Sequence, residues 1–171
     1  MAYPFAVYFG LRHFSPSIMI TGLVALLGAR LIVSREQDKR AKLPYLIGAI
    51  GLIVVAARSP VIGLKAYPIV VSLALAGVFG YSLLRPPAVI ESIVRVRRPD
   101  LPPAIVAYLR NLTIVWTGFF LINAAISAAT ALSGNMKLWT LYNGLISYMM
   151  IGALLIGEFA VRPTSDPAGE A

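Results

Sequence analysis

Five apolar runs divide this chain, and a polypeptide carrying that many has few places to bury them other than a lipid bilayer. They cover residues 16–33, 43–57, 66–84, 111–132 and 139–161. At about 20 residues per crossing, 171 residues leave room for loops but not for a water-soluble catalytic domain. The composition agrees, since 58% hydrophobic and 13% charged residues lie outside the range of a soluble domain. The expected fold is all-α, a polytopic membrane helix bundle of about five transmembrane helices. It forms a single domain over residues 1–162, followed by a tail, "PTSDPAGEA" at 163–171, with the composition of a disordered end.

Local signals punctuate the runs. Ser15-Pro16 supplies a cap residue and a proline where the first run begins. The second run is only about 22 Å long at 1.5 Å per residue, short for a hydrocarbon core of roughly 30 Å. Arg58-Ser59-Pro60 breaks the pattern after it. The start, "MAYPFAVYFGLRHF", lacks the basic region and cleavage site of a signal peptide, and its aromatic residues predict an interfacial segment over 1–15. Two proline pairs, Pro86-Pro87 and Pro102-Pro103, frame a loop over 85–110. Within it "AVIESIVRVRR" places Ile90, Ile93 and Val94 on one helical face and Glu91, Arg95 and Arg98 on another, the pattern of a helix lying on a membrane.

Basic residues orient the stack. Arg35, Lys39, Arg40, Lys42, Arg85, Arg95, Arg97, Arg98, Arg110 and Arg162 fall on one side of a five-span arrangement, against Arg12, Arg58, Lys65 and Lys137 on the other. That bias predicts an outside N-terminus and a cytoplasmic C-terminus. The net charge of +8 therefore points to anionic lipid and to topology rather than to nucleic acid. The basic loop, with Arg95, Arg97 and Arg98, is a candidate docking site for anionic headgroups or for a protein partner, although ordinary topogenic charge on a connector is the favoured explanation.

Polar residues inside the runs are the remaining candidates. With Asn143 as zero, Ser147 falls at about 40° and Glu158 at about 60°, so one helical arc holds all three. In the fourth run Trp116, Asn123, Ser127 and Thr130 fall within about 60° of one another. Polar stripes on neighbouring helices turn inward, since an unpaired amide or carboxylate in hydrocarbon costs several kcal/mol. Asn123 and Asn143 are read first as interhelical hydrogen bonds and second as ligand contacts. Glu158 pairs either with Arg162 on its own helix or with Arg30 of the first run, or contacts a headgroup. Small residues repeat at Ser72, Ala76 and Gly80, and at Ala124 and Ala128, giving surfaces for close helix approach within the bundle or between copies in a homo-oligomer.

Catalytic signatures are missing. The sequence has no cysteine and a single histidine, which removes thiolate chemistry and histidine clusters. No phosphate-cradling glycine loop, zinc-binding helix or pair of intramembrane carboxylates is present, so no catalytic residue, cofactor or metal is expected.

The segments "RPPAVIES" at 85–92, "VWTGFFLIN" at 115–123 and "LWTLYNGLISYMMIGALLIGEFAVR" at 138–162 resemble a small bacterial inner-membrane protein family encoded near ketosynthase genes of the aryl polyene or xanthomonadin type. More distantly, the tryptophan-plus-FF span, the asparagine and the five-span layout are similar to the intracellular septation protein A family, which lacks the YNG and GEFAVR elements. The resemblance covers residues 65–162, and the first 64 residues match in span pattern only. It implies a five-span inner-membrane protein linked to cell-envelope or lipid-like product biogenesis, and it transfers no catalytic residue. Three functions follow in descending order. The first is a non-enzymatic accessory or scaffold protein acting through the Arg95 to Arg98 loop on a cytoplasmic or membrane partner. The second is a lipid-binding or lipid-translocating protein using the polar faces of spans four and five, with Arg30 or Glu158 at the headgroup. The third is an intramembrane enzyme.

Overall fold

The computed structural model describes residues 3–10, 13–22, 50–51, 53 and 59–161. Among the described residues every regular element is helical. Helix α1 spans Tyr3–Gly10 and residues 16–22 are helical after it. Helix α2 spans Pro60–Leu84, α3 Val89–Arg95, α4 Pro103–Leu132 and α5 Met136–Val161. Three of them, α2, α4 and α5, are long and apolar enough to cross a membrane. They correspond to the third, fourth and fifth apolar runs. The first run beyond residue 22, most of the second, the side chain of Arg30 and the tail all lie outside the described residues, as does Arg162.

Two boundaries differ from the sequence reading, both because a proline that ends one pattern also begins a helix. Ser59-Pro60 is not a break before a span at 66 but the start of α2, with Ser59 extended at the N-cap and Pro60 in the first turn. Pro103 likewise opens α4, so residues 103–110 belong to that helix and the connector ends at Pro102. The 30 residues of α4 extend about 45 Å, longer than a hydrocarbon core of roughly 30 Å. At the far end Gly134 takes the left-handed conformation (φ 72°) that turns the chain back. Asn135 then caps α5, its side-chain oxygen accepting from the backbone of Lys137 and Leu138 at 3.0 and 3.1 Å.

The antiparallel pair α2 and α4 is the spine. Ser72 meets Asn123, Ala76 meets Phe119 and Phe120, and Gly80 faces Thr117. The small-residue stripe of α2 is thus used within the chain, letting the aromatic face of α4 close onto it. At one end Val7, Ile20, Leu64 and the fully buried Trp139 form a cluster that joins α1 and residues 16–22 to the starts of α2 and α5. At the other end Arg110 donates to the Leu83 carbonyl at 3.0 Å, tying α4 to the last turn of α2.

Candidate functional site

Two buried asparagines decide how α5 meets the spine. Asn123 donates to Ser72 Oγ at 2.9 Å and accepts from the Tyr142 hydroxyl at 3.0 Å, linking α2, α4 and α5 at one level. One turn nearer the end of α4, Asn143 accepts from Ser127 Oγ at 2.7 Å. Its amide donates to the Trp139 carbonyl at 2.9 Å and to Thr130 Oγ1 at 3.4 Å. Ser147 donates to the Asn143 carbonyl on its own helix at 3.2 Å. In a medium without water these contacts satisfy groups that would otherwise oppose burial, which makes both amides interhelical clamps.

The backbone of α5 changes pitch at this clamp. Tyr142–Ile146 form a π-helical turn, in which hydrogen bonds reach one residue further than in an α-helix. The extra residue shifts the later side chains by about 100°. The sequence arithmetic assumed uniform pitch and therefore put Asn143, Ser147 and Glu158 on one face. In the structure Asn143 and Ser147 are buried against α4, whereas Glu158 is half-buried in a different environment.

Beyond the π turn the backbones of α4 and α5 separate, with side chains bridging them. Phe119 meets Trp116 and Phe120 edge to face while Trp116 and Phe120 are tilted at 37°, with ring centroids 5.6 to 5.8 Å apart, and Met150, Ile151 and Leu154 pack against that wedge. A groove of about 730 Å³ results, bounded by α4 from Tyr108 to Ile122 and by α5 from Met150 to Val161. It is open along one side, where Val115 and Ile122 are half exposed. Its length on α4 is about 21 Å at 1.5 Å per residue, somewhat more than one leaflet of a core of roughly 30 Å. The walls are apolar, and its polar side chains, Tyr108, Asn111 and Glu158, gather at the end nearest α3. There the Tyr108 hydroxyl donates to the Glu158 carbonyl at 3.4 Å, bracing the mouth.

The connector between α2 and α4 is built rather than slack. The Val89 N–H donates to Ser82 Oγ at 3.0 Å, and Ala88 is buried. Arg95 Nε donates to Glu91 Oε1 at 2.8 Å and its terminal nitrogen to the Pro99 carbonyl at 2.8 Å. Arg95, Arg97 and Arg98 are therefore unlike one another in role. Arg95 is a clasp that folds the turn and neutralises a nearly buried carboxylate, while Arg97 and Arg98 are exposed. Replacing Arg95 with Met leaves Glu91 without that clasp; the expected loss is about 2 kcal/mol, below the fully buried range because Arg95 is partly solvated. Arg97→Met should change stability by less than about 0.5 kcal/mol. Thermal unfolding in detergent checks both, and a second substitution, Glu91→Leu, should restore most of the Arg95→Met loss.

Of the residues singled out in the sequence, Trp116 and Glu158 line the groove, Asn123 and Asn143 form the clamps above it, Ser147 is buried and bonded to its own helix, and Arg95, Arg97 and Arg98 lie on the connector. Sequence reasoning missed Tyr108, placed in the loop, and Asn111, used only as a span boundary. The signal that could have found them is Pro103: a helix starting there places Tyr108, Asn111 and Val115 within about 60° of one another.

No protein-family model matches the chain, and no curated protein and no solved structure matches it at a significant level.

Proposed function

We propose that this chain is a non-enzymatic lipid-binding membrane protein that holds one acyl chain of a lipid between α4 and α5. The observation carrying this reading is the groove: leaflet-length, apolar along its walls, open to the side, and polar at one end. Its volume falls in the range of about 300 to 1,000 Å³ typical of small-molecule sites, which combine apolar walls with a few placed polar groups. The amides of Asn123 and Asn143 are engaged between helices, so the polar end of the groove is a separate cluster made by Tyr108, Asn111 and Glu158. The reading includes a five-span topology, resting on the apolar runs, a cytoplasmic C-terminus, resting on the charge bias of the loops, and residence in a bacterial inner membrane, resting on the family resemblance. The link to envelope or lipid-like product biogenesis rests on the family resemblance of residues 65–162.

Native mass spectrometry of the protein released from mild detergent tests it. The wild type is expected to retain a discrete lipid, and Glu158→Gln to retain less of it. A bare, folded chain in both would overturn the proposal. The accessory or scaffold reading draws on the exposed pair Arg97 and Arg98. It requires that reversing both charges abolish capture of a partner while groove substitutions leave capture intact.

A further inference from the structure

Helix α3 is inverted relative to a loop helix in water. Its carboxylate, Glu91, is 6% exposed, whereas Ile93 is 64% and Val96 84% exposed. In a connector surrounded by water the opposite arrangement is favoured, with the aliphatic side chains inward and the acid outward. The sequence pattern grouped Ile93 with Ile90 and Val94 and placed Glu91 on the polar face, but the structure turns the acid toward the bundle. The inversion is fixed, not incidental. The Glu91 to Arg95 pair, the Arg95 to Pro99 hydrogen bond and the Ser82 hydroxyl on the Val89 N–H hold the segment in one orientation.

We propose that α3 and its following turn are an interfacial anchor that inserts Ile93 and Val96 into the anionic leaflet in which α2 and α4 end, with Arg97 and Arg98 on lipid phosphates. Three observations select lipid over a soluble protein as the occupant. The segment directly joins two helices long and apolar enough to cross a membrane, which puts it at headgroup depth. Its exposed apolar residues lie beside exposed arginines, the arrangement of a monotopic helix on an anionic surface. Glu91 is already paired with Arg95, leaving Asp100 as the acid on the outer side of the stretch 85–102, so the charge complements phosphate. The anchor acts apart from the groove: it fixes the depth and tilt of the α4 end at which the groove opens.

The sequence has no cysteine, so single nitroxide labels can be placed at Ile93→Cys and Val96→Cys in the full chain. Both variants would be reconstituted into nanodiscs of phosphatidylcholine with or without phosphatidylglycerol, and collision rates with oxygen and with a water-soluble nickel chelate compared. In discs containing phosphatidylglycerol both labels are expected to be oxygen-accessible and shielded from nickel. Adding Arg97→Gln and Arg98→Gln should lower the ratio of inserted to water-exposed label by about thirty-fold, since each arginine near such a surface contributes roughly fivefold. Both side chains are exposed, so the pair of substitutions removes no packed group. Labels that are nickel-accessible in both lipid compositions would overturn the proposal and assign the surface to a soluble partner. Insertion indifferent to phosphatidylglycerol and to the two arginines would overturn it as well.

Discussion

Gly157→Phe is expected to strip the bound lipid from the protein, lowering retention at least about tenfold while the bundle stays folded. Gly157 lines the groove, and a Cβ built on it meets no heavy atom within 4 Å. A ring added there is expected to occupy space assigned to an acyl chain. The loss corresponds to an energy of about 1.4 kcal/mol or more, modest against the apolar area that one buried hydrocarbon chain removes from contact. Gly77→Phe provides the control. Gly77 is exposed on α2, also has open space at its Cβ, and does not line the groove. It should leave lipid retention unchanged, and equal losses in the two variants would point to a general effect of added aromatic surface.

A stability loss of about 2 kcal/mol is expected at Asn143→Ala, the larger of the two amide effects. The substitution removes three side-chain hydrogen bonds, to Ser127, Thr130 and the Trp139 carbonyl. Interhelical hydrogen bonds within membranes average about 0.6 kcal/mol each and reach about 1.7, because the released partners find others nearby. The two bonds to α4 at that average, together with the bond to the Trp139 carbonyl on its own helix, give roughly 2 kcal/mol rather than the larger sum a water-free estimate would give. Asn123→Ala loses two bonds, to Ser72 and Tyr142, and should cost about 1 kcal/mol. Reversible unfolding in mixed micelles measures the pair. The order of the two effects carries the argument: a larger loss at Asn123 would mean that the upper clamp, beside the π turn, is not what fixes the divergence of α4 and α5.

The three described spans were legible because an uninterrupted apolar run of about 20 residues allows few other structures. Their starts were harder to read. Pro60 and Pro103 were taken as interruptions because proline ends helices as readily as it opens them, and only the partner surface decides which. The polar faces of the fourth and fifth runs were visible as stripes, and the amides of Asn123 and Asn143 do bond across helices. What the sequence could not show is the groove. It depends on the π turn at Tyr142–Ile146, and a one-residue change of pitch leaves no periodic trace in a run where almost every residue is apolar. The burial of Glu91 was equally hidden. An acid four residues before an arginine reads as a solvated pair, and only the closure of the turn through Pro99 places it underneath.

The measurement that bears most directly on the lipid reading is photo-crosslinking with a phospholipid carrying a diazirine at the end of one acyl chain, mapped by mass spectrometry on the wild-type chain in native-like bilayers. A lipid held between α4 and α5 predicts adducts concentrated on Val115, Trp116, Ala153 and Leu154, well above those on Ile62 and Leu73, which are exposed on α2 but outside the groove. Adducts spread evenly over these exposed apolar side chains would contradict it, leaving α4 and α5 with ordinary annular lipid and no site.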